Sequence, residues 1–135
     1  MRFTQAAAYG ISAATYLAHV ADGEIVSNTV ICEALQIPQR FVLQILRQMA
    51  LAGVVKSTRG VLGGFTLAKP ASEISLLDIV EAVDGPIGAN EAIDLAGMST
   101  NSQAAVDKMM ATIVADARKQ LASVTLADLR ASKAA

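Results

Sequence analysis

The chain has 135 residues, of which 53% are apolar, and its net charge is −1. This length suits one compact domain, or a small domain with an appended element, and the apolar content favours a folded over an intrinsically disordered chain. The single cysteine excludes an internal disulfide and any metal site built from several cysteines of the chain.

The charges are distributed unevenly between the two halves of the chain. Residues 1–69 contain six basic and three acidic residues, whereas residues 70–135 contain five basic and nine acidic residues. This asymmetry favours contact between the first half and a polyanion such as nucleic acid. No apolar run reaches the ~18 uninterrupted residues of a membrane span, so we expect no membrane contact. Residues 18–21 resemble a signal-peptide cleavage site, but the stretch before them is rich in Ala, Ser and Thr rather than Leu, so a cytoplasmic location is expected.

Three helices are predicted in the first 52 residues. Thr4 is a candidate N-cap for a helix over about 5–21, and Ser27 or Asn28 for a second helix through about Leu35. After a turn at residues 36–38, a third helix runs to about Ala52. The residues expected to face the core are Phe3, Ile11, Ala14, Leu17 and Ala18 in the first helix, Val30, Ile31, Ala34 and Leu35 in the second, and Phe41, Val42, Ile45, Leu46 and Met49 in the third.

The glycine-rich segment after the third helix predicts a β-hairpin. Val54-Val55 precede Arg59-Gly60, and Gly63-Gly64 lead into the short run at residues 65–67. Arg59 is expected at the tip of this hairpin and Lys56 on one arm. Two short helices joined by a tight turn and followed by a basic hairpin are typical of a winged helix-turn-helix DNA-binding domain, here over residues 1–85.

The third helix is the expected recognition helix, because its polar side carries side chains that can reach base edges or phosphates. An arginine on a narrow hairpin suits a narrow minor groove, where the negative potential is enhanced. Glycines beside it allow the backbone to approach phosphates closely. The candidate DNA-binding residues are Arg2, Thr4, Gln39, Arg40, Gln44, Arg47, Lys56, Arg59, Gly60, Gly63 and Gly64; Gln48 lies on the same polar side of the helix.

The second half contains the longest predicted helix. Ser75 is expected to cap a helix through about Asp84, and residues 86–102 then lead to a helix from about Gln103 to Val124. Its apolar stripe has little of its own chain to cover it, so residues 103–135 are interpreted as a dimerisation helix and tail. The alternative is packing against the first helix in a monomer. The dimer-interface candidates are Val106, Met109, Met110, Ile113, Val114, Ala117 and Leu121.

In this order, the motifs resemble those of the IscR/NsrR/CymR family of bacterial winged-helix regulators, the Rrf family. The resemblance rests on Met1-Arg2-Phe3-Thr4 with Tyr9, residues 37–42 with Leu46, and residues 52–55, 59–68, 74–86 and 125–129. It implies a mainly α-helical fold with one small β-hairpin, and a homodimer on a palindromic operator in double-stranded DNA. Recognition helices would enter the major groove, wing tips would reach the minor groove, and the long helix would cross to the partner.

The chain departs from that family at several positions. Many members hold an iron–sulfur cluster through three cysteines before the long helix, but residues 87–106 here contain none. We therefore expect no cluster, no metal and no other cofactor. Residues 6–8 are Ala-Ala-Ala where basic residues are common in the family. Leu43 stands where an acidic residue is common, and Val61 where a proline is common. These differences predict weaker binding to DNA or a different operator.

The main prediction is a DNA-binding transcriptional repressor, and two alternatives stay open. One is a degenerate winged-helix dimer that serves as a protein-interaction module. The other is a redox regulator acting through Cys32, although a small core residue is the favoured interpretation because Glu33 would raise a neighbouring thiol pKa. No P-loop and no nucleophile–histidine pair is found, so enzymatic activity is not expected. The sequence leaves the signal open, including an unidentified small-molecule or protein effector.

Overall fold

The computed structural model describes residues 3–89 and 92–131. Its helices are α1 (Gln5–His19), α2 (Asn28–Leu35), α3 (Gln39–Leu51), α4 (Leu76–Asp84), α5 (Thr100–Ala122) and α6 (Leu126–Ala131), and its strands are β1 (Val55–Thr58) and β2 (Gly64–Leu67). A single 3-10 turn, Ala71–Glu73, lies between β2 and α4. The predicted class, mainly α with a winged helix-turn-helix and one small hairpin, is confirmed.

Side-chain caps fix the starts of several helices. Ser27 Oγ accepts a backbone N–H in the first turn of α2. At α4, Ser75 Oγ accepts the Asp78 N–H at 3.1 Å, while an Asp78 carboxylate oxygen accepts the Ser75 N–H at 2.9 Å. Thr125 and Asp128 repeat this reciprocal arrangement at α6. Each cap satisfies backbone donors that a helix start leaves unpaired, which is why these positions end the preceding loops.

The core lies where α1, α3, α4 and α6 pack together. Leu17, Leu46, Ile79 and Leu126 come one from each of these helices and are at most 3% exposed. The Leu126 N–H also donates to the carbonyl of Ile74 at 2.9 Å. The last helix of the described chain, α6, therefore shares the core of the winged-helix elements, whereas α5 lies outside that core.

The hairpin is joined to a third segment at its base. β1 and β2 pair antiparallel, with Thr58 opposite Gly64. Val26 and Phe65 exchange two backbone hydrogen bonds of 2.9 and 2.8 Å. A Cβ on Gly64 would lie 2.3 Å from the Val26 carbonyl oxygen. Glycine is required there because the backbone before α2 closes directly on the strand.

Some expectations about burial and helix ends are wrong. Phe3 and Val30 were expected in the core but are each 45% exposed, and Ala34 is exposed as well. α2 has only eight residues and meets the core along one side, where Ile31 and Cys32 are buried. α1 ends at His19, two residues before the predicted end. α5 starts at Thr100 rather than near 103, because Ser99 caps it.

α5 differs from the other long helices because none of its 23 residues is buried. Arg118 pairs with Glu81 of α4, and the same carboxylate accepts the Ile87 N–H at 2.8 Å. Gln103 donates to the Ile93 carbonyl at 2.8 Å. Polar contacts thus hold α5 beside α4 and the segment that precedes it. In the part of the chain that the structure describes, no helix has the length and apolar character to cross a membrane.

Candidate nucleic-acid interface

α3 has one apolar and one polar side. The apolar side is packed in the core and consists of Val42, Ile45, Leu46 and Met49. The polar side consists of the predicted DNA-binding residues Gln39, Arg40, Gln44 and Arg47, all exposed, with Gln48 partly covered. Leu51 continues the exposed side one turn beyond Arg47 and is 92% exposed. The predicted side chains are therefore exposed on one side of α3, and their contact with DNA stays a prediction. Sequence periodicity gives no signal for the exposure of Leu51.

An aromatic platform lies at the start of α3. The Arg40 guanidinium carbon is 4.7 Å from the centre of the Phe41 ring, and the Phe41 and Tyr9 ring centroids are 6.4 Å apart. Phe41 was expected in the core, but it is 39% exposed. An arginine on an aromatic face gains about 0.5–1 kcal/mol at an exposed site, so Phe41 restricts where the Arg40 side chain extends.

The tip of the hairpin is a compact turn. The Gly63 N–H donates to the Gly60 carbonyl at 3.0 Å, and a Cβ on Gly63 would lie 2.3 Å from the Thr58 carbonyl oxygen. Gly63 is thus required by packing within the hairpin, whereas Gly64 is required by the Val26 backbone beside it. Gly60 has a φ of +111° and open space on its Cβ side, so it is the glycine best placed for close approach by a ligand. DNA contact by all three glycines stays a prediction.

Among the residues that the structure describes, none is an acidic partner of the basic side chains of α3 and the wing. Within residues 3–89 and 92–131, the one ion pair joins Arg118 to Glu81. The four exposed cations of α3 and the wing are Arg40, Arg47, Lys56 and Arg59. Residues 54–69 contain three basic residues and no acidic one. Cations without carboxylate partners are free to contact phosphates of a nucleic acid. Each such contact favours binding because it releases a condensed counterion.

Thr4 is less available than the sequence indicated. Its hydroxyl accepts the Ala7 N–H at 3.0 Å, as the predicted N-cap, and donates to Asp84 Oδ1 at 2.6 Å. Asp84 comes from the acidic half of the chain and brings a negative charge to one of the predicted DNA-binding residues. Local sequence carries no signal for this pair, because 80 positions separate the two residues. Arg2, another candidate, lies outside the described residues.

Cys32 is buried in α2 and is 9% exposed. Its Sγ–H donates to Asn28 Oδ1 at 3.6 Å. Burial raises the pKa of the Cys32 thiol, and the negative charge of Glu33 raises it further, although a backbone hydrogen bond opposes them. A buried thiol with a raised pKa has little thiolate at neutral pH, which suits a core residue better than a redox switch.

The apolar stripe of α5 divides into two parts. Val114 and Met110 face the segment before the helix, where a Cβ on Gly88 would lie 2.7 Å from Val114 Cγ1. Met109 and Ile113 are 51% and 48% exposed. The other interface candidates, Val106, Ala117 and Leu121, are partly exposed. A dimer contact through these residues stays a prediction.

No group of three or more His, Cys, Asp or Glu side chains that could hold a metal ion occurs in residues 3–89 and 92–131. Cysteine occurs once in the whole sequence. This donor set does not fit an iron–sulfur cluster held by three cysteines, because soft thiolates bind such clusters.

The chain is similar in sequence to transcriptional regulators over nearly its whole length. The family model described as "Rrf2: Iron-dependent Transcriptional regulator" matches residues 3–132. The provisionally named HTH-type transcriptional regulator Rv1287 of Mycobacterium tuberculosis is 32% identical over 130 residues, which cover 96% of this chain and 81% of that protein.

Two solved structures are similar over nearly the whole chain. CymR, the global cysteine regulator of B. subtilis, has a TM-score of 0.78 at 22% identity and covers 99% of both chains. IscR of T. potens has a TM-score of 0.71 at 25% identity, covering 98% of this chain and 89% of the other. At these identities the structural likeness supports the fold described above.

Proposed function

The chain belongs to the Rrf2 family of transcriptional regulators, and on that premise we propose that it is a homodimeric repressor that binds a palindromic operator in double-stranded DNA. The observation that supports this most is the set of exposed cations on α3 and the wing, none of which pairs with a carboxylate of residues 3–89 or 92–131. Binding to chromosomal DNA would place the protein in the cytoplasm.

α3 and the wing would act together on the duplex. α3 fits the major groove, where Gln39, Gln44 and Arg47 can donate hydrogen bonds to base edges. Arg59 at the hairpin tip would enter the adjacent minor groove. Lys56, on the strand between α3 and the tip, would contact a backbone phosphate between the two grooves. α3 and β1 are separated by a short connection and pack on each other, so the two contacts would keep a fixed spacing.

Dimerisation would follow from α5. A helix of 23 residues with no buried residue leaves apolar area in water, and burying such area stabilises association by about 25 cal/mol per Å². A second copy of α5 would cover Met109 and Ile113, the most exposed apolar residues of the stripe. A symmetric dimer presents two recognition helices related by a two-fold axis, which matches a palindromic site.

The proposed regulator works without an iron–sulfur cluster, although the family description refers to iron. The residues present do not supply three thiolates before α5. Protein purified without oxygen should be colourless, with iron and acid-labile sulfide at background levels. A visible cluster spectrum with bound iron would refute this part of the proposal.

The function is tested by selecting bound duplexes from a random DNA library with the full-length wild-type chain. We expect recovery of one inverted repeat, and retention of that duplex should fall at least tenfold for the Arg40→Ala, Arg47→Ala double variant. Run-off transcription from a promoter that contains the repeat should decrease when the protein is added. Failure to enrich any duplex would favour the protein-interaction module over a DNA-binding regulator.

A further inference from the structure

The tip of the wing exposes two large apolar side chains. Val61 and Leu62 occupy the two corner positions of the turn that Gly60 and Gly63 close. Val61 is fully exposed and Leu62 is 90% exposed. Turn corners usually carry glycine, proline, asparagine, aspartate or serine, because the corner points into water. A valine and a leucine there break that local rule with no packing gain inside the chain.

The hairpin that carries these residues is held firmly. The Gly60–Gly63 hydrogen bond closes the turn, the β1–β2 ladder supports its two arms, and Val26 fixes Phe65 at the base. A Cβ at Gly63 would be 2.3 Å from the Thr58 carbonyl oxygen, so the two arms meet closely behind the tip. Val61 and Leu62 are thus projected on a narrow, stable support.

We infer that Val61 and Leu62 form an apolar wedge that presses into the minor groove of the operator and bends it. The inference rests on the proposed DNA-binding function. Minor-groove proteins insert leucine, isoleucine, phenylalanine, methionine or proline between base steps, which partly unstacks the bases and kinks the duplex.

The surroundings of the tip favour DNA as the occupant. Arg59 is two residues before Val61 and Lys56 lies on β1, and residues 54–69 contain no acidic residue. Among the described residues, Glu24 is the one carboxylate that lines the cleft beside Val61 and Leu62. A positive hairpin attracts the negative minor groove, and it would repel a basic partner surface. The wing also continues directly from α3, whose polar side is the proposed major-groove surface. One dimer can then place both elements on adjacent grooves.

Leu62 and Arg59 should leave different signatures in binding to DNA. An apolar wedge releases no counterion, so its removal lowers affinity without changing the dependence on salt. Removal of Arg59 lowers affinity and also flattens the salt dependence. The wedge further predicts that bending of the duplex depends on Leu62, since unstacking requires an apolar group between the bases.

The experiment uses full-length protein and the duplex enriched by the wild-type chain, labelled at both ends with a donor and an acceptor dye. Fluorescence anisotropy gives the affinity at several salt concentrations, and energy transfer gives the bend. We expect Leu62→Ser to lose about tenfold in affinity, to keep the wild-type salt slope and to lose the bend. Leu62→Met, the matched apolar control, should retain affinity and bend. Equal thermal midpoints for these variants exclude unfolding.

Three results would overturn the inference. If wild-type protein binds the duplex and Leu62→Ser matches it in affinity and bend, the wedge is wrong while the proposed function stands. If the wild-type chain enriches no duplex, both fail together. If Leu62→Ser instead loses binding to phosphatidylglycerol vesicles and keeps full DNA binding, the tip inserts into lipid rather than DNA.

Discussion

α3 and α5 are both amphipathic helices, but only α3 buries its apolar side in the core of its own chain. α3 buries four apolar residues and presents its polar side to solvent. α5 is ten residues longer and buries none, and Met109 and Ile113 stay about half exposed. Sequence periodicity thus identifies an apolar face, whereas the neighbouring elements decide whether one chain can cover it.

The two helices therefore divide the proposed work. α3 rests on a core that includes α1 and α4, so its exposed side can be specialised for recognition without loss of stability. α5 is held at its edge by the Arg118–Glu81 pair and by Gln103, and the part of its apolar stripe proposed for association, Met109 and Ile113, stays exposed. Variants on each helix should consequently fail in different ways.

The largest effect is expected from charge on the apolar side of α5. Ile113→Lys would place a cation in the proposed dimer contact, where burial of an unpaired charge is costly. We expect the variant to sediment as a monomer at micromolar concentration and to lose about 100-fold in affinity for a palindromic duplex, because the two half-sites are no longer linked.

Ala115→Lys is the matched control, since Ala115 is exposed on the opposite side of the same helix. It should remain dimeric and bind DNA as the wild type does. If the wild-type chain sediments as a monomer, the proposal that a second copy covers the apolar side of α5 is wrong.

A smaller effect is expected at the wing. Arg59→Ala should lower operator affinity about tenfold. It should also reduce the slope of log affinity against log salt concentration by about 0.9 for each wing tip, because one cationic contact with the DNA and its counterion release are lost. Affinity measured by anisotropy between low and moderate salt gives both quantities. Lys119→Ala removes an exposed cation from α5 and should change neither. An unchanged slope for Arg59→Ala would contradict the assignment of the wing.

The helix starts and the two sides of α3 could be predicted from sequence, because the signals for both are local. The caps at Ser27, Ser75 and Thr125 act over three residues, and the α3 periodicity spans consecutive turns. The burial of Leu126 could not be predicted in this way, because it depends on a contact with the Ile74 backbone across 52 positions. The hydrogen bond of Thr4 to Asp84 is likewise invisible in sequence.

The hydrogen bond between Thr4 and Asp84 offers a variant that should raise the affinity for DNA, whereas the variants above should lower it. Asp84→Asn keeps an oxygen that can accept the Thr4 hydroxyl and removes a negative charge beside the start of α1. If this end of α1 faces phosphates, affinity should rise about two- to threefold, and less at high salt, because screening weakens the repulsion. Asp116→Asn, an exposed α5 site, is the control. Equal affinities for the Asp84 variant and wild type would place this carboxylate away from the DNA.

The smallest effect on DNA binding is expected at Cys32. Burial raises the pKa of the folded-state thiol, so it stays protonated at neutral pH and reacts slowly. Cys32→Ala, and wild type treated with peroxide, should both bind the operator within twofold of untreated protein. Loss of binding on oxidation, restored by a reductant and absent in Cys32→Ala, would instead establish the redox alternative.

The same shift predicts how pH affects stability. The folded thiol pKa lies above the unfolded value of about 8.5, so the unfolded chain loses this proton first as pH rises. The contribution of Cys32 to the free energy of unfolding is therefore fully present below about pH 8.5 and decreases as pH rises toward the folded pKa. Urea unfolding at neutral and at alkaline pH should show a smaller alkaline loss for Cys32→Ala than for wild type. An equal loss in both proteins would mean that the thiol titrates alike in the folded and unfolded chains, and that α2 does not shield it.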